Sequence, residues 1–404
     1  MLSASDALQR LLENAKSVQE HELVKTQDAL GRVLARDLIS QVDVPPLDNT
    51  AMDGYAIRCA DLVQTDSLLK VDQRIPAGSM GLPLKTGTAA RIFTGAPIPL
   101  GADAVVMQED CSSIAEGTQV QVNINPQKGQ WIRRRGEDLS AGKIALSAGT
   151  FLRAPQLGVV ASAGYAELLV KRQVRVAAFF TGDELSLPGE ALKPGGIYNS
   201  NRDTLLACLR SLGCVATDLG IVPDRLDATR DALRQASSKH DLIITSGGVS
   251  VGEEDHIKPA VSAEGRLDLW QIAIKPGKPL AFGAVRREEN GEAWFMGLPG
   301  NPVSSFVTFL LFVRPFILRL QGRHDISPHS FQVRADFDWP KPDRRNEFLR
   351  VKVNPSGGLD LFPNQSSGVL TSAAWGDGLL NCPAGQGFKQ GDLVSYIPFT
   401  SLLS

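Results

Sequence analysis

The segment DLIITSGGVSVGEEDH, residues 241–256, carries the clearest structural signal in this 404-residue chain. Its apolar run, residues 242–245, is rich in β-branched side chains and predicts a buried strand. The strand ends at Ser246-Gly247-Gly248, before an acidic helix start. Two glycines leave backbone N–H groups pointing outward, and the helix adds its positive end, so this turn favours a bound anion. A tight βα turn without a ligand is the alternative for the glycines alone.

Three acidic residues follow the glycine turn: Glu253, Glu254 and Asp255. Carboxylates beside an anion site are expected where a divalent cation lies between them. Glu253 and Glu254 are interpreted as residues that complement the helix dipole. Asp255 also lies near the open side of the glycine turn, so we expect it to face a metal-bridged phosphate.

Two further turns have the composition of a ligand site. The turn Lys275-Pro-Gly-Lys278 fixes two cations, and compact ammonium groups suit oxyanions. On an ordinary surface the same lysines would be solvated charges. The turn Leu298-Pro-Gly-Asn-Pro302 opens a helix. Pro299 and Pro302 are expected to shape that turn rather than take part in the chemistry.

From about residue 174 strands alternate with helices, which predicts a mostly parallel, three-layer α/β sheet domain over residues 174–325. In such sheets ligands bind beyond the carboxyl ends of the strands. Polar turns follow five predicted strand ends: Thr181–Glu184, Pro223–Asp224, Ser246–Gly248, Lys275–Lys278 and Pro299–Pro302. Their coincidence predicts one composite site for a phosphorylated or oxyanionic ligand.

The flanking segments have a different composition. Residues 47–139 consist of short apolar runs split by glycine and proline, and residues 326–404 alternate as half-buried strands, so both predict small β domains. Locally, Asp53 is typical of a turn aspartate before glycine. Thr94 is typical of a buried turn hydroxyl, and Arg133-Arg134-Arg135 of a solvated basic face. None of these residues defines a site by itself.

Composition excludes several classes of protein. A formal net charge of -2 gives no general attraction to nucleic acid or anionic membranes. Neither the five cysteines nor the five histidines show a spacing typical of a disulfide framework or a zinc site. The N-terminus lacks a signal-peptide pattern, and the apolar run Phe306–Leu320 is interrupted by Arg314, Pro315 and Arg319, which favours a buried helix. We expect a cytoplasmic protein without nucleic-acid or membrane partners.

Nine short motifs occur in order along the chain: TAMDGYA (50–56), FTGAPIP (93–99), GADAVV (101–106), RRGED (134–138), TGDEL (181–185), YNSN (198–201), SGGVSVG (246–252), KPGKP (275–279) and GLPGNPVS (297–304). Together they resemble the molybdopterin molybdenumtransferase family, the bacterial counterpart of the gephyrin E domain. Each motif alone is weak, but the ordered set spans nearly the whole chain.

The resemblance implies a transferase of molybdenum cofactor biosynthesis. Such enzymes transfer molybdate to adenylylated molybdopterin, cleave the adenylyl-phosphate bond with the help of Mg²⁺, and release molybdenum cofactor and AMP. It also implies a homodimer of four-domain subunits: an extended, discontinuous linking and dimerisation domain (1–46 and 140–173), a β-rich lid (47–139), the sheet domain (174–325) and a barrel-like C-terminal domain (326–404). Each site lies between the sheet domain of one subunit and the lid of the other.

The resemblance also implies roles for residues at matching motif positions. Catalytic roles are implied for Asp53, Thr94, Asp138, Glu184, Asp224 and Asp255. Metal ligation is implied for Glu184, Asp224 and Asp255. Ligand binding is implied for Arg135, Ser246, Gly247, Gly248, Ser250, Lys275, Lys278, Pro299, Pro302, Ser304, Arg350 and Ser372, the last two at positions that hold molybdate. The family often has Gly-Asp after the glycine turn, whereas this chain has Gly252-Glu253-Glu254-Asp255, so the metal-facing carboxylate is assigned to Asp255.

Three alternatives stay open. Adenylylation of molybdopterin uses a similar sheet domain, but usually as a single small domain, which the additional β segments disfavour. A scaffold role like that of the related animal protein would need a linker or receptor groove, and none is evident in the sequence. Tungstate has nearly the size and charge of molybdate. The resemblance further implies contacts with the molybdopterin adenylyltransferase and with acceptor molybdoenzymes or their chaperones.

Overall fold

The computed structural model describes residues 1–63, 66–248, 256–289 and 291–403. The chain forms two compact units, one of residues 1–22, 31–33 and 170–404, and one of residues 23–30 and 34–169. Residues 1–22 belong with the sheet domain because Ala7 and Leu11, on the helix Ala4–Asn14, are buried in its core. This grouping differs from the expected linking domain, and the four-domain boundaries stay a prediction.

A six-stranded sheet forms the centre of the first unit. Its strands are β1 Arg175–Thr181, β2 Val215–Val222, β3 Leu242–Ser246, β4 Gly265–Gln271, β5 Pro279–Arg286 and β6 Glu292–Leu298. The strand order is β2-β1-β3-β6-β5-β4. Strands β2, β1, β3 and β6 pair in parallel, and β5 is antiparallel to both β6 and β4. Five of the six strands therefore run in one direction, so the sheet is mostly parallel, although β5 was not predicted.

Both faces of this sheet are covered, because alternate residues of one strand enter different cores. Val176 and Ala178 of β1 pack with the helices Ala4–Asn14, Ser200–Ser211 and Pro302–Leu320. Ala177 and Phe179 pack with Leu226–Lys239 and Ile257–Glu264. A strand buried on both faces needs a continuous apolar run, which explains the sequence of β1 and β3.

The helix Pro302–Leu320 is long and apolar enough to cross a membrane by length and composition, but 89% of its apolar window is buried inside the protein. It fills the core of the first unit, as predicted for the run Phe306–Leu320. Its middle segment, Phe309–Val313, is a π-helical turn just before Pro315. A wider turn accommodates a proline that has no N–H to donate and a ring that crowds the preceding turn.

The C-terminal segment forms a second sheet within the first unit. Its strands are Ile274–Lys275, Phe331–Arg334, Asn346–Val353, Leu359–Leu361, Gly378–Cys382 and Leu393–Pro398, with short helices Thr371–Trp375 and Phe399–Leu402. The strand Ile274–Lys275 pairs in parallel with Asn346–Glu347, so the lysine turn of the sheet domain is fastened to this sheet. The β-rich character predicted for residues 326–404 is present, and a separate domain of barrel-like form stays a prediction.

The second unit is rich in β structure. Its six-stranded sheet contains Gly54–Ile57, Ser67–Ile75, Thr88–Ile92, Ala104–Met107, Cys111–Ile114 and Gln119–Val122. Short pairs join Asn49–Thr50 to Ile132–Arg133 and Leu38–Ile39 to Ile144–Leu146, and one helix spans Ala154–Ser162. The strands His21–Lys25 and Glu167–Lys171 each extend across a boundary between the units, and the strands Leu185–Ser186 and Ile197–Tyr198 belong to the first unit. The β-rich character predicted for residues 47–139 is therefore present.

Candidate functional site

The polar turns that follow the strand ends meet at one cavity of the first unit. Because β1, β2, β3, β4 and β6 run in the same direction, their carboxyl ends share one edge of the sheet. The cavity has a volume of about 940 Å³ and lies at this edge. It is lined by parts of all five predicted turns, by residues 197–201 and by Arg345 and Gln365–Gly368 of the C-terminal sheet domain. The structure thus brings together the turns that the sequence pattern predicted.

The glycine turn after β3 needs its glycines. Gly247 has φ +99° and Gly248 φ +61°, and a β-carbon on Gly247 would lie 2.8 Å from the carbonyl oxygen of Thr181. A larger residue would therefore combine an unfavourable backbone conformation with a steric clash. The amide of Gly247 donates to the carbonyl of Leu298 at 3.2 Å, so this N–H group holds two turns together rather than pointing into the cavity.

Ser246 joins the glycine turn to the start of the long helix. Its side chain is buried, and its hydroxyl donates to the carbonyl of Pro299 at 3.0 Å. The amide nitrogen of Asn201 donates to Ser246 Oγ and to the carbonyl of Gly300, both at 2.8 Å. Ser246 therefore acts structurally in this geometry. Asn201 was missed as a site residue, although it lies in the YNSN motif.

The lysine turn presents two cations in different surroundings. Lys275 Nζ lies 3.0 Å from Glu347 Oε1 and 3.5 Å from Asp343 Oδ2. Lys278 is exposed and makes no ion pair or side-chain hydrogen bond with any residue that the structure describes. Both lysines line the cavity. Lys278 therefore offers a cation to a ligand, whereas Lys275 already has two counterions.

The carboxylates predicted to hold a metal are only partly described. Glu184 and Asp224 line the cavity, whereas Asp255 and Ser250 lie outside the described residues. Within the described ranges no group of three His, Cys, Asp or Glu side chains could hold a metal ion. Two carboxylates that line one cavity nevertheless fit Mg²⁺, which binds proteins through one or two carboxylates plus substrate phosphates and water.

The start of the helix Pro302–Leu320 forms another wall of the cavity. Pro299, Pro302 and Ser304 line the cavity, and Pro302 occupies the first helical turn, where its missing N–H costs nothing. The amide of Val303 donates to the carbonyl of Ser367 at 2.9 Å. This bond attaches the helix start to the C-terminal sheet domain, so both domains shape the same wall.

Arg350 and Ser372 do not line the cavity, and their expected contact with molybdate stays a prediction. Both side chains are buried, and Arg350 Nε donates to Ser372 Oγ at 3.1 Å. Arg350 also donates to the carbonyl of Phe348 at 3.0 Å, and burial lowers the pKa of its guanidinium to about 10. The cavity instead receives Ser366 and Ser367, and the Gln365 side chain ties this loop to the backbone of Arg350. The proximity of these serines to Ser372 in sequence was the available signal.

The predicted lid residues form two polar sites in the second unit. Asp53 Oδ1 accepts hydrogen bonds from the amide and the hydroxyl of Thr94, both at 2.7 Å. These bonds hold the pKa of Asp53 below its ordinary value. In a second loop, Arg135 Nε donates to Asp43 Oδ2 at 2.6 Å, and the exposed Asp138 donates its backbone N–H to the carbonyl of Val44. The two hydrogen bonds from Thr94 thus fix the orientation of the Asp53 carboxylate.

The fold and the cavity define a multidomain α/β protein whose candidate site lies beyond the carboxyl ends of a mostly parallel sheet. Residues 2–164 match the family model described as MoeA N-terminal region (domain I and II), residues 177–319 the probable molybdopterin binding domain, and residues 332–399 the MoeA C-terminal region (domain IV). The chain belongs to the molybdopterin molybdenumtransferase family and is therefore an enzyme of that class.

Individual relatives agree with this assignment. The chain is 41% identical to a molybdopterin molybdenumtransferase of Haemophilus influenzae, over 89% of each chain. It is 34% identical to one from Nostoc sp., over 94% of this chain and 88% of the relative. A crystal structure of a molybdopterin biosynthesis MoeA protein from Pyrococcus horikoshii superimposes with a TM-score of 0.84 at 29% identity, covering 98% of this chain and 100% of that one. The predicted resemblance to the family is therefore confirmed.

Proposed function

We propose that this protein transfers molybdate to adenylylated molybdopterin, cleaves the adenylyl-phosphate bond and releases molybdenum cofactor and AMP. Membership of the family supports the overall reaction. The observation that carries the proposal is the cavity at the carboxyl edge of the sheet, where Lys278 has no partner among the described residues. A cation that no described residue neutralises, in a cavity of this size, is expected to bind an oxyanion.

The chemical difficulty is to bring two anions together. Molybdate is a dianion and the pyrophosphate group of the other substrate is multiply charged, so they repel each other strongly in a cleft of low dielectric constant. Lys278 neutralises part of this charge directly. Lys275 lies on the same turn and directs its ammonium group to the rim of the cavity. Preorganised cations of this kind stabilise charge that develops at the phosphorus during cleavage.

Glu184 and Asp224 would hold Mg²⁺ at this cavity, together with Asp255, which lies outside the described residues. When bound, the ion neutralises negative charge on the phosphate oxygens of the substrate. Glu184 is exposed on the turn after β1, and Asp224 follows β2, so neighbouring strands of the sheet supply both carboxylates. The turns Ser246–Gly248 and Pro299–Pro302 shape the wall between them and the lysines.

We also propose that the lid residues Asp53, Thr94, Arg135 and Asp138 complete the site of a second subunit in a homodimer. The hydrogen bonds from Thr94 keep Asp53 ionised and fix its direction, which suits a carboxylate that orients water or a cation. Replacing Asp53 with Ala should lower turnover while leaving nucleotide binding largely intact. A complete loss of nucleotide binding in that variant would show that the role of the lid is different.

The reaction is proposed to take place in the cytoplasm. All five cysteines are free thiols, which suits a reducing compartment. There the protein would exchange substrate and product with the molybdopterin adenylyltransferase and with acceptor molybdoenzymes or their chaperones. Affinity measurements between this protein and each purified candidate would test these contacts.

The deciding experiment is an AMP-release assay with adenylylated molybdopterin, in which molybdate and Mg²⁺ are titrated separately. The proposal predicts that AMP release requires both and saturates with molybdate. No AMP release at any molybdate concentration would contradict the proposal. A parallel titration with tungstate measures whether the site distinguishes the two oxyanions.

A further inference from the structure

Glu347 is a buried carboxylate beside the candidate site. It is 1% exposed, and its Oε1 atom lies 3.0 Å from Lys275 Nζ at the rim of the cavity. The family motifs used above do not include it, and it does not line the cavity itself. A buried carboxylate that contacts a lysine of the site is a candidate for controlling that lysine.

The orientation of Glu347 does not depend on Lys275. Its other oxygen, Oε2, accepts hydrogen bonds from Trp339 Nε1 at 2.9 Å and from the backbone N–H of Asp343 at 2.8 Å. The parallel pairing of the strands places Lys275 directly opposite Glu347. The carboxylate is therefore fixed by its own domain, and the lysine on the neighbouring strand is held by it.

Lys275 and Glu347 belong to a group of four charges. Asp343 lies 3.5 Å from Lys275 Nζ and is bound by the guanidinium of Arg345, whose Nε and Nη2 donate to its two oxygens at 3.1 and 3.0 Å. Two cations and two anions cancel, so this group adds no net charge to the cavity. Loss of the negative charge of Glu347 alone would leave the group at +1, beside a cavity that we expect to bind anions.

We propose that Glu347 is a positioning residue that sets how tightly the cavity binds an oxyanion, because it holds the Lys275 ammonium in place and offsets its charge. This inference rests on the proposed function, since it concerns the oxyanion that the reaction consumes. Tighter binding of the substrate anion alone does not raise the turnover rate, because only interactions that strengthen in the transition state do so. Glu347 would thus lower the affinity of the ground state for the oxyanion while it holds the Lys275 ammonium in position.

The test is the substitution Glu347→Gln, which keeps the shape and removes the charge. Its Kd for molybdate, measured by calorimetry on the full chain, should fall roughly tenfold, since one counter-charge several ångströms from a dianion is lost. The rate of AMP release at saturating molybdate should fall roughly tenfold as Lys275 loses its position. A purely structural role would weaken molybdate binding, so the sign of the change in Kd separates the two roles.

Two controls frame this result. Glu347→Asp keeps the charge and should leave the Kd within about threefold of wild type. Glu264→Gln removes another well-paired carboxylate, which contacts Arg230 and Arg234 and does not line the cavity, and should leave both Kd and rate unchanged. Unchanged or weaker binding in Glu347→Gln would overturn the inference.

The opposite substitution, Lys275→Gln, gives a second measurement together with the double variant, which should fold even if Glu347→Gln does not, because it leaves neither member of the pair without its partner. It leaves the buried Glu347 charge without its lysine, so molybdate binding should weaken at least tenfold, and the double variant should recover most of that loss. Double-variant binding no better than Lys275→Gln would contradict the inference. If wild type binds molybdate but releases no AMP, the proposed function fails, while these Kd values still decide the role of Glu347.

Discussion

The two ends of strand β3 carry polar groups of opposite character. At the amino end, Asp241 accepts hydrogen bonds from Arg172 at 3.0 and 3.1 Å and from the backbone N–H of Arg175 at 2.8 Å. At the carboxyl end, the strand opens into the glycine turn and a cavity where Lys278 has no partner among the described residues. One strand thus connects a carboxylate that is ion-paired within the protein to a cavity whose exposed lysine is not paired with any described residue.

This difference indicates that the charges at the amino edge of the sheet stabilise the fold, whereas those at the carboxyl edge are available to a ligand. Charges that hold a fold together are paired within the protein, because a buried charge without a partner is costly. Charges that bind a ligand are unpaired in the free protein, and such sites commonly lower the stability of the folded protein. The comparison predicts that substitutions at the amino edge change stability, and that substitutions at the carboxyl edge change activity.

The largest expected effect is at the amino edge. Arg172→Ala should lower the free energy of unfolding of the first unit by about 3 kcal/mol, because both Arg172 and Asp241 are largely buried and the carboxylate loses its main partner. Arg266→Ala, in an exposed pair with Glu292, should cost about 0.5 kcal/mol. Urea unfolding measures both. Normal AMP release per folded molecule is expected in each variant, and a large loss of turnover in Arg172→Ala would break the comparison.

At the carboxyl edge, Lys278→Ala should reduce molybdate-dependent AMP release by about a hundredfold, equivalent to about 2.7 kcal/mol of transition-state stabilisation. Its stability should stay within about 0.5 kcal/mol of wild type, because the ammonium has no partner among the described residues. Lys239→Ala, an exposed lysine of the same sheet domain at the amino edge, serves as the matched control. An unchanged rate in Lys278→Ala at saturating molybdate would contradict the role given to this lysine.

Gly277, between the two lysines, should connect stability and activity. It has φ +107°, and a β-carbon there would collide with Thr308 Oγ1 of the long helix. Gly277→Ala should therefore cost about 2 kcal/mol in stability and displace the lysine turn. Gly357→Ala, with φ +78° and open space around its α-carbon, isolates the backbone contribution of about 1 kcal/mol. Equal losses in the two variants, from urea unfolding, would show that the contact with Thr308 does not matter.

The sequence predicted the parts of this architecture that depend on local pattern. Apolar runs marked β1 and β3, and glycine or proline after each run marked the turns that meet at the cavity. The common direction of the strands then implied a common edge. Strand β5 lies between β4 and β6 and runs antiparallel to both. It was not predicted, because no feature of its sequence distinguished it from the neighbouring segments.

The remaining features depend on tertiary contacts between residues far apart in sequence. The pairing of Lys275 with Glu347 follows from strand register between two domains, and nothing near either residue indicates it. The burial of Arg350 and Ser372 was likewise not predicted, because a charged and a polar residue are expected at the surface unless their partners are known. Motif matching can therefore place a residue near a site without showing which side chain reaches it.

The smallest expected effect concerns Asp343, which joins the lysine turn to the C-terminal sheet domain. The guanidinium of Arg345 holds the pKa of Asp343 well below its ordinary value of 3.8. Because the folded-state pKa is lower than the unfolded one, the stabilisation is fully present above about pH 4 and is lost as the pH falls through the folded-state value.

Asp343→Asn should therefore lower the free energy of unfolding by about 1 kcal/mol at pH 7, a modest figure because the amide oxygen can still accept one of the hydrogen bonds from Arg345. The difference from wild type should shrink as the pH falls below 3.8, because the unfolded-state carboxyl then takes up a proton while the folded-state carboxyl is still ionised. Urea unfolding at pH 7 and pH 3 measures it, with the exposed Asp231→Asn as a control that changes little at either pH. A difference that grows towards acid would show that Asp343 is stabilised in its protonated form, and the four-charge group around Lys275 would then not be neutral at pH 7.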